Sequence, residues 1–387
     1  MSIQSSRRDF LSAGLMLPIA GAASKLDFLN PEKPAPKSPK RPKLDHRFLG
    51  KTGLKLTTVG FGCMITSDPS VITRAADLGI NYFDTARGYQ NGNNERMVAA
   101  ALGAKRKDVV LSTKSIANNK EGLLKHLDTS LSELKTDYVD IWYLHSKDTP
   151  AAIHDDMIEA QQIARQQGKI RFAGMSTHAL PKLTEWTIDK KAFDVVLTVY
   201  NFTMDAKMDD AIAAVAKTGT GVVAMKVMAG GAHARRAGET VNPIVQRDGA
   251  MLAALKWVLH RPNIGTTIPS MTDMDQLDEN LRAMAETYAP ADQKILTAHL
   301  EQIRPYYCRF CGQCDGACAK GLQVSDTLRI LTYAEGYGQF ALARERFNEL
   351  PAHHATARCG DCTECTVKCP HGIRVAARIT RAQELFA

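Results

Sequence analysis

The sequence predicts an α/β protein whose main part is a (β/α)8 (TIM) barrel and whose C-terminal part is small and helical. Over residues 46–300, eight short runs rich in apolar and β-branched residues alternate with helical patterns. Strands that alternate with helices of this length form a parallel sheet through crossover connections. The chain has 387 residues, which is enough for one domain of about 250 residues and a smaller one.

Residues 1–23 contain the parts of a signal peptide. Arg7 and Arg8 precede Phe10 and Leu11, and a short apolar run ends in small residues. The paired arginine resembles a twin-arginine signal, which predicts a periplasmic or otherwise exported protein. The apolar run is too short to span a bilayer, so we expect membrane contact only through the export signal. The alternative is a basic, disordered N-terminus.

Residues 24–45 are predicted to be an extended Pro/Lys-rich linker, because prolines remove backbone donors and lysines repel one another. Residues 1–43 hold eight Lys or Arg and three acidic residues, so +5 of the net charge of +8 lies there. The remaining charge of about +3 is too small to indicate a nucleic-acid partner.

The barrel region begins with a predicted hairpin. Residues 46–56 alternate around turn glycines. The eight strand-like runs that follow are Leu56–Gly62, Ile80–Asp84, Val109–Lys114, Val139–His145, Arg171–Ser176, Val195–Tyr200, Gly221–Lys226 and Gly265–Pro269. Helical patterns such as Ala151–Gln167 separate them. The sites of a (β/α)8 barrel lie at the C-terminal ends of its strands.

Four polar residues fall at those strand ends. Asp84, Lys114 and His145 end three successive runs, and Tyr89 lies five residues beyond Asp84. A carboxylate and a phenol this close together suggest proton chemistry. A nearby cation lowers the pKa of a tyrosine, and we expect Lys114 to do so for Tyr89.

The order and spacing of these four residues resemble the Asp-Tyr-Lys-His tetrad of the aldo-keto reductases. The resemblance covers roughly Arg47 to Asn280. It implies that Tyr89 protonates a substrate carbonyl oxygen while a nicotinamide delivers hydride, and that Asp84 and Lys114 tune Tyr89. It also implies that His145 orients the carbonyl and that the hairpin closes the bottom of the barrel. The alternative is that all four are ordinary polar residues at the barrel mouth.

The resemblance also implies a nucleotide site, from which this sequence departs. Leu197 stands where the family usually has glutamine, and Met225-Lys226 stands where a tyrosine and a serine are usual. Because Ser270 and Gln276 replace basic residues that hold a 2′-phosphate, we expect NAD(H) in preference to NADP(H). A site that no longer binds nucleotide is the alternative. The implied cofactor-binding residues are Ser176, Thr177, His178, Tyr200, Lys226, Ser270, Gln276 and Asn280.

Eight of the nine cysteines form two runs with one spacing. They are Cys308-x2-Cys311-x2-Cys314-x3-Cys318 and Cys359-x2-Cys362-x2-Cys365-x3-Cys369. The spacing resembles that of bacterial ferredoxins, in which the fourth cysteine of each run serves the other cluster. Two [4Fe–4S] clusters are therefore expected, one on Cys308, Cys311, Cys314 and Cys369 and the other on Cys359, Cys362, Cys365 and Cys318. Structural zinc and disulfides are the alternatives.

Residues 301–387 are accordingly predicted to form a small α-helical, ferredoxin-like iron–sulfur domain. Ser325–Leu350, between the two runs, has the pattern of a two-helix spacer. Because clusters are assembled in the cytoplasm, such a protein would have to be exported folded, which agrees with a twin-arginine signal.

The function expected from the sequence is that of an exported oxidoreductase that interconverts a small carbonyl compound and an alcohol with bound nicotinamide nucleotide. Its clusters would exchange single electrons with a redox partner protein. The alternative is an iron–sulfur electron-transfer or binding protein that uses the barrel as a non-catalytic scaffold. Leu197 and Met225 favour that alternative, and the intact tetrad opposes it.

Overall fold

A computed structural model describes residues 43–230 and 249–387. The predicted signal peptide, residues 1–23, lies outside the described residues, as does most of the predicted linker, residues 24–45. Arg41–Ala387 form a single unit, so the barrel and the C-terminal helices belong together. Within the described ranges, no helix is both long and apolar enough to cross a membrane.

The described residues contain a two-stranded hairpin and an eight-stranded sheet. The hairpin pairs β1 (His46–Phe48) with β2 (Lys55–Thr57) in antiparallel orientation. The strands of the sheet, in chain order, are β3 (Phe61–Gly62), β4 (Tyr82–Asp84), β5 (Val110–Ser115), β6 (Val139–Leu144), β7 (Ile170–Thr177), β8 (Val195–Val199), β9 (Gly221–Met225) and β10 (Thr266–Thr267). Each pairs in parallel with the next, and the bridges Val59–Thr267 and Gly62–Ser270 close the predicted barrel.

The prediction of one continuous first strand, Leu56–Gly62, is wrong. The first residues of this segment pair with the other strand of the hairpin, and the later residues pair with strands of the barrel. The backbone N–H of Thr58 donates to Asp45 of the hairpin at 2.9 Å, whereas its carbonyl accepts from the N–H of Thr267 at 3.0 Å. The barrel strand β3 therefore begins only at Phe61.

The hairpin lies at the N-terminal end of the barrel, as expected. Leu49, between its two strands, is fully buried. A Cβ atom added to Gly221 or Gly265 would lie 2.5 or 2.8 Å from the Leu49 side chain. Because these glycines stand at the start of β9 and just before β10, Leu49 plugs the end of the barrel opposite the tetrad.

The helices follow from capping residues and apolar spacing, as the third one shows. Asn119 accepts a hydrogen bond from the N–H of Gly122, and Leu123, Leu127 and Leu131 repeat every four residues on the buried face. The helices are α1 (Pro69–Asp77), α2 (Asn93–Leu102), α3 (Lys120–Leu134), α4 (Asp155–Gln166), α5 (Leu180–Lys190), α6 (Ala206–Lys217), α7 (Ala250–Leu259), α8 (Met274–Ala285), α9 (Pro290–Ile303), α10 (Val324–Glu335), α11 (Phe340–Asn348), α12 (His353–Thr356) and α13 (Val375–Phe386).

The two faces of the sheet bury different sets of side chains. Tyr82, Tyr143 and Leu197 belong to the cluster inside the barrel. A larger cluster, which includes Val196 and Tyr200, lies between the strands and the helices. Successive residues of a strand point to opposite faces, so this alternation decides which side chains can reach the barrel interior.

The C-terminal region contains the predicted helical spacer, as α10 and α11, and an internal repeat. Gly321 and Gly372 both adopt left-handed backbone conformations, with φ of 68° and 85°. Three residues after each glycine, a buried valine begins a helix: Val324 begins α10 and Val375 begins α13. Both valines belong to one apolar cluster, so the two halves of the repeat share a core.

Candidate active site and cysteine groups

The barrel places the four tetrad residues at the C-terminal ends of β4, β5 and β6. Asp84 ends β4, Lys114 is the penultimate residue of β5, and His145 follows β6 directly. Tyr89 lies on the loop after β4. Parallel neighbouring strands end on the same side of a barrel, so the sequence order is enough to bring these residues together.

A chain of polar contacts runs from Asp84 to Tyr89. The ammonium of Lys114 donates to Asp84 Oδ2 at 2.5 Å, to the Thr85 carbonyl at 2.8 Å and to the Tyr89 hydroxyl at 3.4 Å. The other carboxylate oxygen of Asp84 accepts from the Ser112 hydroxyl at 2.7 Å. Asp84 and Lys114 are each 1% exposed, so the ion pair is withdrawn from water.

Burial is the largest influence on the pKa values of Lys114 and Tyr89. Burial alone lowers the pKa of Lys114, but Asp84 and Tyr89 together outweigh burial and the pKa is raised, so Lys114 stays cationic. Burial also raises the pKa of Tyr89 above its ordinary value, although Lys114 opposes the rise. Lys114 thus acts in the expected direction without lowering the pKa overall, and that expectation is corrected. Tyr89 keeps its proton at neutral pH.

His145 packs against Tyr89 as a neutral imidazole. The two rings meet edge to face with their centroids 5.8 Å apart. Burial, followed by the nearby charge of Lys114, holds the pKa of His145 well below its usual range. Its buried Nδ1 has no hydrogen-bond partner among the described residues. A neutral imidazole here can make a hydrogen bond with a carbonyl group without adding a charge.

Two cavities meet at Tyr89. We call the first the Ser270 cavity; it has a volume of about 150 Å³ and is lined by Asp84, Tyr89, Lys226, Ser270 and Gln276 among others. Gln276 also fixes the loop, because its amide oxygen accepts from the N–H of Thr272 at 2.9 Å and its nitrogen donates to Asp273 at 2.7 Å. Lys226 is the one basic residue on this cavity within the described part of the chain.

Asn280, on α8, is another of the implied cofactor-binding residues. It is fully buried on α8, yet its amide nitrogen and oxygen both have no hydrogen-bond partner within the described ranges. A buried amide without partners is costly, so such a group commonly serves a ligand. A donor and an acceptor side by side can pair with the edge of a nucleotide base.

The second cavity, which we call the His145 cavity, has a volume of about 420 Å³ and holds Tyr89, Lys114, His145, Ser176 and His178. Thr177 does not line it. The Thr177 hydroxyl donates to Asp148 at 3.1 Å and accepts from the N–H of Ala179 at 3.0 Å, so it fixes the loop after β7. Burial lowers the pKa of His178, although Asp148, 3.2 Å from its Nδ1, opposes the shift.

Tyr200 lies away from both cavities, which corrects its implied cofactor role. Its hydroxyl donates to Asp209 on α6, and its ring packs on Trp257 with the centroids 5.1 Å apart. Tyr200 follows β8 directly; Leu197 of that strand lies in the cluster inside the barrel, and Val199 lies in the cluster that includes Val324 and Val375. Tyr200 therefore has the outward parity of its strand.

Residues from the C-terminal helices line the active site, and the sequence reasoning missed them. Arg329 and Tyr333 on α10 and Arg346 on α11 line the His145 cavity, and Tyr337 lines the Ser270 cavity. Arg329 and Tyr333 stand four residues apart, a spacing that places both on one helix face. That spacing was the available signal, but nothing in it showed that the face meets the barrel.

The thiols fall into two groups. Cys308 interacts electrostatically with Cys311, Cys314 and Cys369, and burial followed by these neighbours raises its pKa to about 12. Cys359 is grouped in the same way with Cys318, Cys362 and Cys365, and its pKa is also raised. Each group thus combines three cysteines of one run with the fourth cysteine of the other, the combination that the ferredoxin spacing implies.

Backbone contacts tie the two cysteine runs together. The Thr366 hydroxyl donates to the Ala317 carbonyl at 2.8 Å and accepts from the N–H of Ala319 at 3.2 Å. All nine cysteines are free thiols. Across the described residues, no three His, Cys, Asp or Glu side chains converge on a single metal ion. The fourfold thiol sets fit an iron–sulfur cluster in composition.

Comparison with known proteins matches residues 67–301 to the Aldo/keto reductase family. The chain belongs to this family. The uncharacterized oxidoreductase YqkF of Bacillus subtilis (strain 168) is 27% identical over 302 residues, 66% of this chain and 96% of that protein. L-galactose dehydrogenase of Arabidopsis thaliana is 27% identical over 321 residues, 68% of this chain and 96% of that protein.

A solved structure supports the fold of this aldo/keto reductase. The holo form of AKR11C1 from Bacillus halodurans matches with a TM-score of 0.55 at 24% identity, over 66% of this chain and 96% of that one. The chain is an aldo-keto-reductase-like oxidoreductase built on an eight-stranded barrel. The family match ends at residue 301, before the first cysteine run.

Proposed function

We propose that this protein reduces a small carbonyl compound to an alcohol with a bound nicotinamide nucleotide, and oxidises the alcohol in the reverse direction. The observation that carries the proposal is the chain of contacts from Asp84 through the Lys114 ammonium to the Tyr89 hydroxyl. It joins a fixed positive charge to a phenol at the point where the two cavities meet.

The residues divide the proton chemistry among them. Tyr89 donates its phenolic proton to the carbonyl oxygen, because an alkoxide is a far stronger base than a phenolate. Lys114, held cationic by Asp84, stabilises the phenolate that remains. His145 is neutral and orients the carbonyl through a hydrogen bond. A bound reduced nicotinamide supplies the hydride.

The nucleotide is expected to lie along the Ser270 cavity. In this placement Asn280 contacts the adenine base and Ser270 lies near the adenosine phosphate. The paired donor and acceptor of Asn280, without partners in the described residues, support this placement. We propose that NAD(H) is preferred to NADP(H), because Ser270 is uncharged and the Gln276 amide is occupied by its own loop. A 2′-phosphate would find no cation from either residue.

We further propose that the two thiol groups each hold a [4Fe–4S] cluster, one on Cys308, Cys311, Cys314 and Cys369 and one on Cys359, Cys362, Cys365 and Cys318. The exchange of the fourth cysteine between runs supports clusters over paired zinc knuckles. Such clusters supply one-electron transfer, so a redox partner protein is part of this proposal.

Export through the twin-arginine pathway also belongs to the proposal. The sequence of residues 1–23 supports it, and so does the requirement that a cluster-bearing protein cross the membrane folded.

Replacing Tyr89 with Phe tests the proposed reduction. The variant is expected to lose about a hundredfold to ten-thousandfold in carbonyl turnover, because it removes the general acid. Its nucleotide affinity, followed by quenching of protein fluorescence, is expected to stay within about twofold of the wild type, since Phe keeps the aromatic ring and loses only the hydroxyl. Tyr288→Phe is the matched control, because Tyr288 lines neither cavity and, within the described residues, its hydroxyl donates only to Gln293.

Two results would contradict the proposal. Turnover by the Tyr89 variant at more than about a third of the wild-type rate would remove Tyr89 from the chemistry. If the wild-type protein binds neither NAD(H) nor NADP(H), the result favours the alternative in which the barrel is a non-catalytic scaffold. A tenfold or greater preference for NADP(H) would overturn only the cofactor assignment.

A further inference from the structure

The C-terminal helices complete the wall of the His145 cavity opposite the tetrad. Tyr89, Lys114 and His145 lie on the barrel side, and Arg329, Tyr333 and Arg346 lie on the helix side. A substrate whose carbonyl reaches Tyr89 must therefore lie against α10 and α11. The chemistry of that wall limits what the substrate can carry.

Arg346 reaches the loop that bears the proton donor. A Cβ atom added to Gly88, the residue before Tyr89, would lie 3.7 Å from Arg346 Nη2. The other guanidinium nitrogen, Nη1, donates to both carboxylate oxygens of Glu349 at 2.7 and 2.9 Å. Because the Glu349 side chain is 53% exposed, this pair is a weak surface contact. Nη2 lies 3.9 Å from Glu345, its one ion contact within the described ranges, and can take a further partner.

Three cations act electrostatically on the Tyr333 phenol. Lys226 lies over the Tyr333 ring, 4.7 Å from its centroid, and Arg329 and Arg346 act on the same phenol. Burial alone raises the pKa of Tyr333, but these cations outweigh it and the pKa is lowered. Tyr333 also interacts electrostatically with Tyr89 across the cavity. An acidic phenol surrounded by positive charge is a strong hydrogen-bond donor to an anion.

Acidic side chains also lie at this wall and neutralise part of its positive charge. Asp326 and Glu349 line the cavity. Asp326 accepts from Arg329 Nη2 at 2.6 Å, and Asp148 lies 3.8 Å from Arg329 Nη1, so Arg329 is compensated. Lys226, in contrast, contacts aromatic rings and has no carboxylate partner in the described residues. Within the described residues, the positive charge that lacks a carboxylate partner therefore lies beside Tyr333.

We propose that Tyr333 and Arg346, with Lys226 behind the phenol, bind an anionic group of the substrate, a carboxylate or a phosphate, while its carbonyl lies at Tyr89. This inference rests on the proposed carbonyl reduction for the placement of the carbonyl only. The substrate class is thus an aldehyde or ketone that carries an acid group a few bonds from the carbonyl carbon.

Equilibrium binding tests the subsite without turnover. Benzoate, phenyl phosphate and the neutral benzamide are titrated calorimetrically into the full-length, anaerobically purified protein. The wild type is expected to bind at least one anion about tenfold more tightly than benzamide, because a charge-assisted hydrogen bond contributes about this much. The preferred anion identifies the acid group as carboxylate or phosphate.

Matched variants locate the effect. Arg346→Gln is expected to lower the ratio of anion affinity to benzamide affinity about tenfold, and Tyr333→Phe is expected to lower it about fivefold. Arg344→Gln on the same helix is the control, because Arg344 is exposed and its one hydrogen bond within the described residues goes to the Leu385 carbonyl. The control is expected to leave the ratio unchanged.

Kinetics supply a second readout. For 4-carboxybenzaldehyde compared with benzaldehyde, Arg346→Gln is expected to raise KM for the charged substrate more than it changes kcat. Equal or absent binding of the anions by the wild type, or an Arg346→Gln ratio equal to that of the control, overturns the subsite. Failure of Tyr89→Phe to slow turnover would instead overturn the proposed reduction and leave the binding result standing.

Discussion

Replacing Lys114 with Met removes the counter-charge of Asp84 from the barrel interior. Met has a similar length without the ammonium, so the main loss is electrostatic. Both partners are 1% exposed, and Asp84 keeps only the hydroxyl of Ser112 as a donor among its contacts in the described residues. Removing one partner of a buried ion pair costs about 3–5 kcal/mol. Because Ser112 remains, we expect the lower end, about 3 kcal/mol.

The loss is expected to depend on pH. Burial already raises the pKa of Asp84, and Lys114 limits the rise, so the variant has a still higher pKa at Asp84. A carboxyl group with a raised folded-state pKa binds protons more readily when folded. Its destabilising effect is absent below the unfolded pKa and grows as pH rises through the folded pKa. The variant should therefore be closer to the wild type at about pH 5 than at about pH 8.

Urea unfolding followed by tryptophan fluorescence measures this effect in the barrel alone, because the three tryptophans, Trp142, Trp186 and Trp257, all lie within residues 46–300. The double variant Asp84→Asn, Lys114→Met serves as the control. Removing both charges is expected to cost about half as much as the single change. A loss below about 1 kcal/mol for the single variant, or additive losses in the double variant, would refute the reasoning.

Three further outcomes follow from other parts of the chain. Asn280→Leu should raise the free energy of unfolding of the nucleotide-free protein by about 1 kcal/mol, since it removes a buried amide that has no partner in the described residues. The same variant should bind nucleotide about tenfold more weakly in fluorescence titrations, and unchanged affinity would show that Asn280 does not contact the nucleotide. Cys369→Ser should remove about four of about eight irons per chain, with Cys318→Ser removing the other four, and zinc without iron in the wild type would contradict this. Changing Arg7 and Arg8 to Lys should retain the folded protein in the cytoplasm, as cell fractionation would show, and efficient export of that variant would exclude the twin-arginine route.

The sequence carried enough information to predict the barrel and the meeting point of the tetrad. Parallel strands share one direction, so Asp84, Lys114 and His145, which end three successive strands, must converge once the strands are located. The grouping of the cysteines could likewise be predicted, because one spacing occurs twice.

Other features depend on information that a strand pattern does not contain. Tyr200 was assigned to the cofactor from its place along the strand, but the alternation of faces turns it towards Trp257. The pKa of Tyr89 depends on how far the phenol is withdrawn from water, which its distance from a lysine in sequence does not give. Arg346 and Tyr333 reach the cavity through tertiary packing between distant segments, and the spacing of Arg329 and Tyr333 on one helix face does not show what that face meets.

The helices α10 and α11 lie in the chain between Cys318 and Cys359. The packing of the segment between the two cysteine runs therefore also determines the positions of Tyr333 and Arg346. The same helices form one wall of the His145 cavity, so the stretch of chain that joins the two cysteine runs is also the stretch that completes this cavity.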